Sequence, residues 1–324
     1  MKKSFKVFLA ATVLVTEFFV VALPLMITSA KADGRPIQAI THAGFGGGTD
    51  VTTRMMLLRT RRYLKQDMQL VNKKGGGGAA SMDYMMTLPA DGQHTLTWTT
   101  GHAVSMALGK TKVKLSDMQP LARGTDDPQL FVVNCKNDIK DAKKFISAQK
   151  SKSLKYGTTH VGGIDDVSAI AFTKKGKLTD PTIVPYKGVG PIKTNLIKGD
   201  IDVGVLNLGE AVTEIEDGTL CVSVVLASNR MEKLSNIPTA TELGIPVVLS
   251  TVRGFVTRKG VPADRKKQLE DAMIKAMEHK YFQSFLTDIG LDSTSVVGAD
   301  EWGKQMEIML AEMTAQLKAL GYIN

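Results

Sequence analysis

From Pro36 to Leu320 the chain alternates short apolar runs with amphipathic stretches of helical period, and glycine clusters mark several of the junctions. That alternation restricts the fold to α/β architectures in which mostly parallel sheets are covered by helices. The apolar runs predict strands at Pro36–His42, Met68–Asn72, Thr95–Thr99, Leu130–Asn134, Leu154–Gly157, Ile183–Val184, Ile201–Leu206 and Cys221–Ala227. Helices are expected from about Asp50, where Val51, Met55 and Leu58 share one face, after Gly75–Gly78 through Met85, and over Asp141–Gln149 and Asp165–Lys174. Two long helices, Asp264–Asp288 and Asp300–Leu320, are expected to end the chain. The last carries Trp302, Met306, Leu310, Met313 and Leu317 as an apolar stripe. A chain of 324 residues is long enough for two lobes, each with its own core.

Residues 1–32 stand apart from this pattern. Met1–Lys6 is basic, Val7–Ile27 is an apolar run interrupted by Glu17, and Ala30-Lys31-Ala32 is a small-x-small exit. The three parts together read as a cleaved secretory signal, with a mature chain starting near Asp33. A permanent membrane anchor is the competing reading, since such a run could span a bilayer. Glu17 and the exit favour cleavage. The expectation is an exported, soluble, monomeric protein of the periplasm. Removing Lys2, Lys3, Lys6, Lys31 and Glu17 leaves 37 basic against 31 acidic residues, a formal charge of +6 in place of +9. Basic residues are interspersed with acidic ones and form no run with aromatics, so nucleic acid is not an expected partner. A mild positive excess suits an anionic ligand.

In folds of this kind ligands sit at the carboxyl ends of strands, on loops that open helices. Gly44–Asp50 and Thr158–Gly163 are the loops of that description. In the first, glycines let the backbone approach a ligand closely. Thr49 or Asp50 is expected to cap the helix, which leaves other first-turn amides to hold a carboxylate or phosphate. The loop lacks the Gly-Lys-Ser/Thr of a nucleotide-triphosphate loop, and the glycine spacing resembles a dinucleotide fingerprint only through glycine density.

Catalytic patterns are absent: the chain has no His-Glu-x-x-His, no Gly-x-Ser-x-Gly and no Cys-x-x-Cys. The histidines His42, His94, His102, His160 and His279 are dispersed, with His102 and His160 placed in loops as polar ligand contacts. No catalytic residue, metal site or cofactor is expected. Asp165 and Asp166 begin a helix, where capping and the helix dipole account for them. An exported hydrolase built from His102 or His160, Asp165 or Asp166 and Ser105 is the enzymatic alternative. Cys135 and Cys221 each border a predicted strand and are candidates for a disulfide in an oxidising compartment.

Taken in order, several motifs resemble the solute receptors of tripartite tricarboxylate transporters, the Bug family. They are Gly46-Gly47-Gly48-Thr49-Asp50 with Arg54, Asn72-Lys73-Lys74-Gly75-Gly76-Gly77-Gly78, and Ala90-Asp91-Gly92-Gln93-His94-Thr95-Leu96. Further along come Leu154-Lys155-Tyr156-Gly157-Thr158-Thr159, Val184-Pro185-Tyr186-Lys187-Gly188 and Pro238-Thr239-Ala240-Thr241-Glu242-Leu243-Gly244. The resemblance implies a two-lobe, periplasmic-binding-protein-like (type II) α/β fold, with lobe 1 at 33–128 plus 228–324 and lobe 2 at 129–227. It implies a receptor that closes on a small organic carboxylate and delivers it to membrane permease subunits, with no chemical step. A sensor subunit for a membrane signalling protein would read the same way. The ligand residues it implies are Phe45, Gly46, Gly47, Gly48, Thr49 and Asp50 in one lobe and Thr158, Thr159, His160, Gly162, Gly163 and Asp165 in the other. Thr100, Gly101 and His102, with Tyr186 and Asn207, are expected to line the cleft. Leu206 stands where the family usually has Asp, and Arg258 where it usually has Pro. Asp165 and Asp166 add negative charge that would repel a second ligand carboxylate unless they point away.

Overall fold

The computed structural model describes residues 34–159, 161–319 and 321–323. The expected leader and His160 lie outside the described residues. Among those described, no helix is long and apolar enough to cross a membrane.

The chain builds one sheet, moves to a second, and returns to the first. It starts with β1 (Ile37–Thr41), α1 (Gly48–Leu64), β2 (Met68–Asn72), α2 (Ala79–Met86), β3 (His94–Thr99), α3 (Thr100–Ala107) and the long β4 (Met118–Pro128). It continues with β5 (Leu130–Asn134), α4 (Ala142–Ser151), β6 (Lys155–Thr158), α5 (Ile164–Lys175), β7 (Thr182–Pro185), α6 (Val189–Lys198), β8 (Val203–Leu206), α7 (Leu208–Glu216) and β9 (Leu220–Val225). The return comprises β10 (Ser250–Arg258), α8 (Ala263–Glu278), α9 (Lys280–Asp288), β11 (Val297–Gly298) and α10 (Ala299–Ala319). The six-stranded sheet has the order β11-β4-β10-β3-β1-β2 and the five-stranded sheet β7-β6-β8-β5-β9.

Both sheets are mixed, where the sequence pattern led us to expect mostly parallel ones. β1 pairs parallel with β2 and β3, and β6 with β7 and β8. The antiparallel pairs are β10 against β3 and β4 and β5 against β8 and β9, next to the crossings between sheets, and the edge strand β11 against β4. At the crossings the Gln129 amide donates to Leu249 O, the Leu226 amide to Gln129 O and the Leu249 amide to Leu226 O, each at 2.9 Å. Three backbone segments are thereby tied where the chain passes between sheets.

The largest apolar cluster runs through both sheets, and aromatic rings mark each part of it. Trp98 on β3 meets Trp302 on α10 edge-on at 5.7 Å. In the five-stranded sheet Phe131 is surrounded by Phe172, Tyr156 and Phe145 at 4.9, 5.5 and 5.7 Å. Burying one such ring contributes about 1.5–3 kcal/mol, and a well-placed ring pair about 0.5–1.5 kcal/mol more. Cys135 and Cys221 are disulfide-bonded with Cα atoms 5.0 Å apart, joining the end of β5 to its neighbour β9. The helix expected over Asp264–Asp288 is two helices. His279 is extended (φ −69°, ψ 144°) and its ring nitrogen accepts from the Tyr281 amide, so it starts α9 afresh. That break turns Phe282 and Leu286 into the core.

Candidate functional site

A cleft of about 700 Å³ opens at the carboxyl ends of the parallel strands, lined from both sheets. The six-stranded sheet contributes His42–Thr49, Lys74–Gly78, Thr99, Gly101, Ser105, Thr251 and Arg253. The five-stranded sheet contributes Thr159, Val161–Asp165, Tyr186–Pro191, Asn207 and Glu210.

Among the described residues six helices begin at this cleft, and two of them, α3 and α7, start from Thr99 and Asn207 in capping boxes. α1, α2, α5 and α6 start from Gly47, Gly78, Gly163 and Gly188, and none of the four has a side-chain cap. All four glycines line the cleft. Away from the cleft, α4 and α9 are capped by Asp141 and His279, while α8 starts from Pro262 without a side-chain cap. An uncapped N-terminus presents the positive end of a helix dipole and, at α1, α5 and α6, first-turn amides without a side-chain acceptor; at α2 the Ala79 and Ala80 amides already bond to Gly76 O and Gly75 O. Several such termini facing one cavity make it a place for an anion. The lining charges agree in sign: Lys74, Lys110, Lys187 and Arg253 against Asp165 and Glu210.

The first glycine loop differs in detail from its sequence reading. Neither Thr49 nor Asp50 caps α1. Asp50 is buried, accepts from the Gly46 amide at 3.1 Å and from Arg54 at 2.9 Å, and does not line the cleft. Its carboxylate folds the loop and leaves the first-turn amides outward. The Thr49 hydroxyl faces inward and accepts from Arg253 Nε at 3.2 Å. Phe45 stands 78% exposed at the cleft mouth, opposite Val161 at 71%.

In the second loop Asp165 lines the cleft but turns onto its own backbone. Its Oδ2 accepts from the Thr159 amide at 2.8 Å and the Thr159 hydroxyl at 2.6 Å. Burial pushes this carboxyl up to about 7, against the pull of the Thr159 bonds. Asp166 is buried and accepts from the Gly162 amide. Both carboxylates thus serve the loop, and the expected repulsion of a second ligand carboxylate is softened.

Thr158, Thr100 and His102 do not line the cleft. Thr158 ends β6 with its side chain buried, and the alternation of a strand puts Thr159 on the cleft side instead. Thr100 and His102 begin α3 directly after β3, with no loop between; only Thr99 and Gly101 face the cavity. The Thr100 hydroxyl donates to Ser250 O. His102 accepts the Thr99 amide on Nδ1 at 3.0 Å, so its Nε2 carries the proton and donates to Ser81 Oγ at 3.0 Å. Ser81 in turn donates to Gly78 O. Burial holds the imidazole well below its usual range, with His42 adding to the effect. This buried, neutral histidine supports the Gly75–Gly78 loop from behind. Ser105 Oγ donates to the carbonyls of Gly76 and Gly77 at 2.9 Å each. The hydrolase arrangement considered from the sequence is therefore not assembled among the described residues.

Sequence reading missed the buried cation of the cleft. Arg253 is 2% exposed and its Nη1 pairs with Asp127 Oδ2 at 3.0 Å. Its Nη2 donates to Asn207 Oδ1 at 3.1 Å. Burial pushes Asp127 up to about 7, against the pull of Arg253. The Gly75–Gly78 loop was also not singled out as cleft lining; all four of its glycines have positive φ, a run that side-chain-bearing residues would adopt only with strain. No group of three or more His, Cys, Asp or Glu that could hold a metal is found among the described residues.

Comparison with known proteins follows this geometry. The model of the tripartite tricarboxylate transporter family receptor matches residues 52–319. The protein BugT of Bordetella pertussis is 27% identical over 221 residues, 65% of this chain and 67% of its own. MatC from Rhodopseudomonas palustris, solved with bound malate, superposes with a TM-score of 0.77 at 22% identity, over 87% of this chain and 98% of its own. The protein Rpa4515 of the same organism, solved with adipate, gives a TM-score of 0.80 at 21% identity, over 90% and 99%. At these identities the two structures speak for the two-lobe binding-protein fold.

Proposed function

Since the chain belongs to the tripartite tricarboxylate transporter receptor family, we propose that it is a periplasmic receptor that captures a small organic carboxylate and delivers it to the permease of such a transporter. The observation that carries the reading is the set of four glycine-started, uncapped helix N-termini facing one cleft. Oriented amides and helix dipoles hold a carboxylate without a chemical step. Two structural relatives, solved with malate and adipate, fit that ligand class. Residues 33–128 plus 228–324 act as one jaw and 129–227 as the other, with the Phe45–Thr49 and Thr159–Asp165 loops meeting on the ligand. Tyr186 and Asn207 complete the lining, and the chain works as a monomer. Export proceeds through cleavage after Ala32, which the intact mass of the protein from a periplasmic extract measures directly.

The test is a thermal-shift screen of the refolded mature protein, stripped of carried ligand, against succinate, malate, adipate, citrate, benzoate and glutamate. A specific acid at 100 times its Kd adds about 2.7 kcal/mol of stability. One chemical class raising the melting temperature by several degrees is the expected outcome. No shift from any of them overturns the reading.

A further inference from the structure

Arg253 lies on β10 opposite Thr99, the last residue of β3, and so beside the end of the parallel strands where α1 and α3 begin. Its guanidinium has two edges able to grip a carboxylate in a two-bond fork. One Nη1 hydrogen is committed to Asp127, with Thr251 O at 3.4 Å and Thr125 Oγ1 at 3.5 Å as weaker neighbours. The Nε–Nη2 edge is different. It meets two separate neutral oxygens, Thr49 Oγ1 at 3.2 Å and Asn207 Oδ1 at 3.1 Å, one from each lobe. Together they stand where the two oxygens of one carboxylate would stand.

That edge lies beneath the Gly48 backbone, with Glu210 Oε1 beside it. Gly48 covers it with no side chain; a Cβ there would lie 2.5 Å from Nη2. Thr49, Asn207 and Arg253 all line the cleft. Of the two displaceable acceptors, Asn207 also has other work: its Nδ2 donates to Asp127 O and Pro128 O, and its side chain belongs to the capping box of α7. A charged acceptor makes a hydrogen bond roughly twice as strong as a neutral one. Exchange of two neutral oxygens for a carboxylate therefore gives stronger bonds at this edge, set against the dehydration of the carboxylate, and leaves Asn207 held.

Resting on the receptor reading above, we propose that the Nε–Nη2 edge of Arg253 is the charged anchor of the cleft, where one ligand carboxylate displaces Thr49 Oγ1 and Asn207 Oδ1. In the structure the same edge bridges Thr49 and Asn207. In the bound protein the carboxylate takes over that bridge, so capture and lobe position are linked through one side chain. The anchor demands an ionised acid and discriminates against esters and amides.

The experiment compares calorimetric affinities of wild type, Asp127→Asn and the double variant Asp127→Asn/Arg253→Gln. The double variant avoids leaving a buried carboxylate unpaired. The probe is whichever of succinate, malate, adipate, citrate, benzoate and glutamate binds wild type most tightly. The expected result is that Asp127→Asn binds at least as tightly as wild type and the double variant at least tenfold more weakly than Asp127→Asn. A smaller loss overturns the proposal. Should the double variant fail to fold by circular dichroism, Arg253→Lys replaces it. Lysine keeps the charge and removes the fork, and a loss below tenfold again overturns the anchor. Wild type binding none of the six acids brings down the receptor reading itself; wild type binding with unaffected variants brings down the anchor alone.

Discussion

Gly48→Ala tests how tightly the first glycine loop is fitted to Arg253. Gly48 is the first residue of α1, and an added Cβ would fall 2.5 Å from Arg253 Nη2, 3.1 Å from Cζ and 3.4 Å from Glu210 Oε1. Ordinary contact for such atoms is about 3.5–4.0 Å, so the guanidinium must retreat by about 1 Å. An exposed arginine would swing aside at little cost. Arg253 is buried and held at Asp127, Asn207 and Thr49. Moving Nη2 by that distance takes its 3.1 Å bond to Asn207 beyond the hydrogen-bond limit of about 3.5 Å. A bond to a charged group is worth about 1.5–3 kcal/mol, and alanine returns up to about 1 kcal/mol of helix propensity. The net expectation is a destabilisation of about 1–2 kcal/mol, seen as a melting temperature lower by roughly 2–5 °C, with weaker carboxylate binding by calorimetry. Gly190→Ala is the matched control. It also lines the cleft in the first turn of a helix, but nothing lies within 4 Å of its added Cβ. It should leave the melt unchanged or raise it. If Gly48→Ala behaves like Gly190→Ala in melt and binding, the close fit of loop and guanidinium is not what holds the site.

Other outcomes follow from the same geometry. Thr159→Val removes a cleft-lining hydroxyl that donates to Asp165 at 2.6 Å and braces the second loop, so anion affinity by calorimetry should fall by about tenfold, corresponding to about 1.4 kcal/mol. The Cys135–Cys221 bridge spans 86 residues, and loop-closure entropy for that length gives ~4.6 kcal/mol as the most it can add; Cys135→Ser/Cys221→Ser should melt well below wild type yet bind the same acid with little change. Asp165 is raised in the folded protein, so its contribution is fully present below its ordinary value and is lost as pH rises through about 7. Between pH 4 and pH 8 wild type should therefore lose on the order of 2–4 kcal/mol relative to Asp165→Asn, measured by denaturant melts; parallel pH profiles for the two proteins would refute the burial argument.

Local signals were legible in the sequence. Met68–Asn72 and Leu130–Asn134 form strands over the very residues read as apolar runs, because each is short, apolar and bounded by turn-forming residues. The two glycine loops stood out because strand, glycine cluster and helix follow one another within a few residues. Long-range signals were not legible. β4 and β10 carry Arg123, Asp126, Asp127, Thr251 and Arg253, charges and hydroxyls that read as solvent-facing. In the fold they satisfy one another: Arg253 meets Asp127 across a separation of 126 residues, and Arg123 meets Gln305 across 182. No window of the sequence contains either pair. Thr100 and His102 illustrate a second limit. A loop was expected after β3, yet the strand passes straight into α3, and helical geometry turns these two side chains away while Thr99 and Gly101 face the cavity.

The account stands most directly on where a ligand sits. A crystal structure of the mature protein with the tightest-binding acid of the panel should show one carboxylate between the Gly44–Thr49 and Thr159–Gly163 loops, contacting first-turn amides of α1 or α5. A carboxylate bound away from this cleft, or a cleft empty at saturating acid, would contradict the receptor site described for this protein.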